Sequence, residues 1–209
     1  GAEGSLVRAA ELRRRFFGGD HPELASILRD LGSLRIEQGR YTEAEALYRE
    51  LLRIREHALG AAHPETLCAA ADLASLLSKA GAYVEAEQLF LQALASAEQR
   101  PSADDRVITR LLVPYVLVGY VAHLADRGRD VEALRYLERA TATLEQALGV
   151  TREGEGLVMT TALAGYAAII FGKLGDYARG RRTLARFLAA ARTTFGPDHP
   201  VTATAHRAL

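Results

Sequence analysis

A pattern that returns at a fixed interval constrains this chain more than any other feature. His21-Pro22-Glu23 comes back forty-two residues later as His63-Pro64-Glu65, and Gly39-Arg40-Tyr41-Thr42-Glu43-Ala44-Glu45 returns at the same interval as Gly81-Ala82-Tyr83-Val84-Glu85-Ala86-Glu87. Two looser copies, around Gly128-Arg129-Asp130 and Gly175-Asp176-Tyr177, each follow their predecessor by forty-seven residues. A third His-Pro, His199-Pro200, stands after Gly175 as His63-Pro64 stands after Gly39. An interval of this size marks a unit that buries its apolar face against its neighbours, so an array of stacked units is expected.

Within a unit the apolar residues keep helical spacing: Leu24, Ile27, Leu28, Leu31 and Leu34 on one segment, Ala44, Leu47, Tyr48, Leu51 and Leu52 on the next. That is one stripe on a helix, with none of the alternation a strand needs. The glycine between the segments stops the first helix and lets the second return beside it. Each unit therefore reads as an antiparallel helical hairpin. The expected organisation is a single array over 1–209: a lone second helix at 5–18, repeats at 20–60, 61–100, 101–149 and 150–196, and an unfinished first helix at 197–209. Both ends are expected to cut through repeats of a longer protein.

These residues resemble the tetratricopeptide repeat, and more closely its long variety found in kinesin light chains and many bacterial signalling proteins; the generic unit has about 34 residues. The motif reads Leu28, Leu31, Gly32, Gly39, Tyr41, Ala44, Tyr48 and Leu51 in the first unit, and Ala70, Leu73, Ala74, Gly81, Tyr83, Ala86, Phe90 and Ala93 in the second. The third unit departs with Val121 and Asp130, and the fourth with Gly180 and Phe187. The resemblance implies an all-α fold, a right-handed superhelical solenoid of antiparallel helical hairpins.

Composition agrees with a folded chain: 209 residues, 49% apolar and 25% charged, are ordinary globular values. The 26 basic residues balance the 26 acidic ones, so no overall field favours nucleic acid or an anionic membrane. The longest apolar run, Leu111 to Leu124, is shorter than the ~20 residues of a membrane helix and contains Pro114. Pro114 is expected to kink the first helix of the third unit or delay its start, with a cap at Ser102-Ala-Asp-Asp105. The first residues carry no secretory pattern. The single cysteine, Cys68, has no internal disulfide partner, which favours a reducing, cytoplasmic setting. Heavy arginine, alanine, leucine and glycine usage points to a bacterial source.

No constellation for catalysis stands out, and the expectation is a protein that is not an enzyme, with no cofactor and no metal. The repeated histidines His21, His63 and His199 sit on successive units, at least ~8–10 Å apart, whereas zinc ligands each approach to ~2.0–2.1 Å. Each His-Pro reads instead as a helix start, with proline in the first turn where its missing donor costs nothing. His57 and His123 read as packing or surface residues. Cys68 has no local base or cation to activate it, and the glycines lack a phosphate-loop context. The arginines of the last full helix, Arg179, Arg181, Arg182, Arg186 and Arg192, and the run Arg13-Arg14-Arg15, read as solvated, partly salt-bridged faces without the aromatic interleaving of a nucleic-acid site.

The resemblance also implies where partners bind: on a concave wall lined by the first helix of each hairpin. Its positions here are Ser26, Arg29, Ser33 and Glu37; Cys68, Ala71, Ser75 and Lys79; Tyr115, Val118, Ala122 and Asp126; and Ala162, Gly165, Ile169 and Lys173. This wall lacks the lysines and amides of carboxylate-clamping and acidic-peptide grooves, which leaves a groove for a helix or extended segment with apolar anchors. The expected function is a protein–protein interaction scaffold binding a peptide or helix of a partner protein, with no nucleic acid and no membrane, and with further repeats or domains of the same chain as possible neighbours. The alternative is an intramolecular regulatory or oligomerisation module of a larger signalling protein of kinase or nucleotide-switch type.

Overall fold

A computed structural model describes residues 2–19, 21–100, 107–148 and 155–196. The expected cap at Ser102–Asp105, the beginning of the fourth repeat and the whole of 197–209, with His199-Pro200, lie outside the described residues. Among those described, all regular structure is helical: α1 (Ala2–Phe17), α2 (Pro22–Glu37), α3 (Tyr41–Leu59), α4 (Pro64–Ala80), α5 (Tyr83–Glu98), α6 (Val107–Asp126), α7 (Asp130–Leu148), α8 (Glu155–Leu174) and α9 (Tyr177–Phe195). The chain divides into two compact units, Gly1–Arg100 and Pro101–Leu209. Unit 1 stacks α1 to α5, each helix against the next, and unit 2 does the same with α6 to α9, where α6 also packs on α8. The all-α repeat architecture expected from the sequence is what is observed.

Local chemistry sets the helix ends. His21 and His63 are N-caps: each Nδ1 accepts a hydrogen bond at 3.3 Å from the amide two residues on, of Glu23 and Glu65, and Pro22 or Pro64 follows in the first turn. The His-Pro-Glu repeat is thus one complete start signal, in which imidazole takes the role usually filled by serine or aspartate and glutamate faces the positive end of the helix dipole. Gly39 and Gly81 adopt φ of 72° and 88°, the left-handed turn that lets the next helix fold back.

In unit 1 the core is the interior of this stack, with Leu24, Leu28, Leu51, Ile54, Leu73, Leu76 and Leu77 sealed from solvent together with Tyr48. Along the second helices of the hairpins, ion pairs run from one to the next: Arg14 to Glu50 at 2.7 Å and Arg49 to Glu85 at 2.8 Å in unit 1. In unit 2 the direction reverses, with Glu145 of α7 taking Arg186 of α9 at 2.8 Å and Glu138 taking Arg179. These solvent-exposed pairs set the alignment of the helices more than their stability. They also make the arginines of α9 partly salt-bridged, while Arg181 and Arg182 stand exposed.

Helix α6 decides between the two alternatives expected at Pro114 and corrects one further expectation. It runs unbroken from Val107 through a buried Pro114 to Asp126, so the proline does not delay its start. By length and composition, Ile108–Asp126 is apolar enough to cross a membrane, where the sequence run looked too short. Its apolarity has a second outlet: Leu112, Val116, Leu117, Tyr120, Val121 and Leu124 are buried, and α6 packs on both α7 and α8. His123 is 1% exposed and stacks on Tyr120 at 6.0 Å, which makes it a packing residue. His57 lies on the surface.

Candidate functional site

The residues expected to line a partner-binding wall lie on the first helices of the hairpins, and the two units differ in what they present there. In unit 1, Ser26, Ser33, Glu37 and Lys79 are exposed and Arg29, Cys68 and Ser75 half-buried. Ala71 departs from expectation: it is 2% exposed, packed inside and not lining a surface. The physical reason is register, because α4 is buried on more of its circumference than α2, with Ala69, Ala71, Leu73 and Ala74 all enclosed.

Much of the polar chemistry of this face is already satisfied. Arg29 of α2 pairs with Asp72 of α4 at 3.6 Å. The hydroxyls of Ser33 and Tyr48 share a hydrogen bond at 3.1 Å, and Ser75 donates to the Ala71 carbonyl at 2.9 Å. Arg55 reaches across from α3 with 8% of its surface exposed and donates to the Glu65 carbonyl at 2.7 Å. Its guanidinium is pulled below its ordinary value, first by burial and then by Arg29, with Glu65, Cys68 and Asp72 opposing. These groups therefore form one cluster of alternating charge. Sequence reasoning missed Arg55, although a signal existed: the equivalent position one repeat on is Ala97, a core residue.

The phenol of Tyr48 is raised, first by burial and then by Asp72, against the lowering by its Ser33 hydrogen bond. The folded state holds this proton more tightly than the unfolded chain does, so the stabilisation is complete below the ordinary phenol value of about 10 and is lost as pH rises through the elevated folded value. The urea midpoint is expected to fall between about pH 9 and about pH 11, and to fall less in Tyr48→Phe. Equal losses in the two proteins would remove Tyr48 from this account.

In unit 2 the face is apolar. Tyr115 and Ile169 are 37% and 51% exposed, Gly165 is exposed, and Val118, Ala122 and Ala162 are half-buried. A methyl group added at Gly165 would meet no atom within 4 Å, so this glycine leaves free space on the α8 side. At the far end of α8, Lys173 donates to the Ala125 carbonyl at 3.2 Å and to the Asp130 carboxylate at 3.3 Å, which ties it to the α6–α7 corner. Asp126 is exposed there and, after burial, is the second cause of the raised phenol of Tyr166. No group of metal-ligating side chains occurs among the described residues.

A sequence model of the tetratricopeptide repeat matches residues 2–57 and again 31–99. No curated protein matches the chain. Among solved structures, the kinesin light chain nearly identical TPR-like repeats of Podosopora anserina resemble it at 19% identity and TM-score 0.56, over 93% of this chain and 87% of that one. A variant of the same protein gives 20% identity and TM-score 0.58, over 92% and 86%. At these identities the likeness is one of fold. Residues 2–99 carry the tetratricopeptide-repeat signature, and the helices through α9 share the fold of kinesin-light-chain-like repeats.

Proposed function

We propose that this chain is a protein–protein interaction scaffold that holds a peptide or helix of a partner protein against the first helices of its hairpins, with the partner's bulky apolar side chains anchored on the α6/α8 face. The observation that carries this reading is the exposure of Tyr115 on α6 and Ile169 on α8, two helices that pack on one another, with open space at Gly165 of α8. Apolar surface left in water gains about 25 cal/mol per Å² when covered. On the α2/α4 face Arg29, Ser33 and Ser75 already have internal partners, and a ligand would have to compete with them.

Selection of a displayed random-peptide library on the full chain is the direct test. Peptides with spaced aromatic or aliphatic residues should be enriched, and Ile169→Glu, at an exposed position that tolerates charge, should weaken them at least tenfold. Enriched peptides indifferent to Ile169→Glu and Tyr115→Glu would place recognition elsewhere.

A further inference from the structure

On the other side of α2 from Ser26, Arg29 and Ser33 lies a second concavity, of about 300 Å³, between α1 and α3. At roughly 100° per residue, Leu28, Leu31 and Arg35 share one face of α2 and floor this space, whose walls are Val7 and Ala10 of α1 and Ala46 and Leu47 of α3. Repetition explains the gap. One repeat later Arg49, Leu52 and Gln88 stand where Val7, Ala10 and Ala46 stand here, and Arg49 spans to Glu85 at 2.8 Å. The first copy has shorter side chains at all three places, so the space between neighbouring second helices stays open. Its volume suits one large side chain and falls at the low end of ligand sites, about 300–1,000 Å³.

The rim selects the occupant. Arg14 is held by Glu50 through hydrogen bonds of 2.9 and 2.7 Å. Arg35 bridges Glu3 and, at 3.3 Å, Glu43, and Glu43 is further gripped by Arg40 at 2.7 Å. Glu11 alone among the charged lining residues makes no ion pair with any described residue. An apolar floor with one unmatched carboxylate at its edge is complementary to a hydrophobic side chain carried next to a cation. We propose that this α1/α3 pocket is a second docking site, for a partner segment that presents a bulky apolar residue beside a lysine or arginine. It shares no residue with the α6/α8 face and stands or falls separately from the reading above.

Acetyl-phenylalanyl-arginine amide and acetyl-phenylalanyl-glutamate amide, titrated into the isotope-labelled full chain, test it by amide NMR. The arginine probe should shift the amides of Val7, Ala10, Ala46 and Leu47, at least threefold more tightly than the glutamate probe. Ala46→Gln installs at an exposed position the residue used one repeat later, and should weaken binding at least tenfold while the spectrum stays folded. Glu11→Gln should erase the preference between probes. Absence of shifts at these amides, shifts insensitive to Ala46→Gln, or equal affinity of the two probes for the parent chain would overturn the proposal. So would concentration-dependent shifts of the same amides without a probe, which would assign the pocket to a second copy of the chain.

Discussion

Ala71→Glu is expected to unfold unit 1 and not to report on recognition. The spacing of the first helices puts position 71 on the presumed wall, yet the methyl group is 2% exposed and its neighbours Ala69, Leu73 and Ala74 are 0–1% exposed. A glutamate there must either desolvate a carboxylate or force α4 away from its packing. The nearby cations are engaged, Arg29 with Asp72 and Arg55 with the Glu65 carbonyl, so no ready partner offsets the charge. Burying an unpaired charge belongs to the short list of mechanisms that cost about 4 kcal/mol or more. Lys79→Glu, exposed two turns further along the same helix, should stay within about 0.5 kcal/mol of the parent. Urea unfolding followed by circular dichroism separates the two cases. An Ala71→Glu protein within about 1 kcal/mol of the parent would show that α4 can open at this position.

Position 71 also marks how far the sequence could be read. Repeats, helix starts and glycine stops are local chemistry, and they were legible residue by residue: His63-Pro64-Glu65 begins α4, and Gly81 ends it with φ of 88°. Which side of a first helix faces water depends on what packs around it, and helical periodicity alone assigns that to within about one residue in the turn. Burial in the pair Arg29 and Arg55 was harder still, because one lies on the wall and the other comes up from α3 beneath it. Comparing copies helps where periodicity fails. Arg35 stands where the next repeat has the buried Leu77, and Arg55 where it has Ala97, so both positions belong to the interior and both arginines are spent on internal partners. The same comparison uncovers the α1/α3 pocket, which no single segment reveals. The open apolar face of unit 2 was visible as composition, through Val118, Ile169 and Gly165, while the tie of Lys173 to Ala125 and Asp130 required the fold.

The fourth repeat looked degraded in sequence because glycine replaces the alanine that opens each second helix. The structure makes the replacement half of a matched pair. A Cβ on Gly180 would lie 2.9 Å from Cβ and 3.2 Å from Cγ of Phe171, atoms too near the backbone to swing aside. At the positions equivalent to these two, the second and third repeats have Ala86 with Leu77 and Ala133 with Leu124, all buried. The fourth has moved volume from one helix to the other: a larger Phe171 on α8, nothing on α9. Gly180→Ala should therefore be destabilising even though alanine is the better helix former by about 1 kcal/mol, because overpacking costs about 1–3 kcal/mol. Phe171→Leu, harmful alone through the cavity it leaves, should restore the arrangement of the neighbouring repeats when combined with it. The double-mutant cycle is expected to show a favourable coupling of about 0.5–3 kcal/mol. The first repeat makes a parallel exchange, Gly32 lying so close to Tyr48 that a Cβ would fall 2.6 Å from the ring, where the second has Ala74 and Phe90. Additive effects at positions 171 and 180 would mean that the backbone of α9 relaxes to admit the methyl group. The departures from the motif would then be drift that the fold tolerates, and not compensation that keeps each hairpin closed.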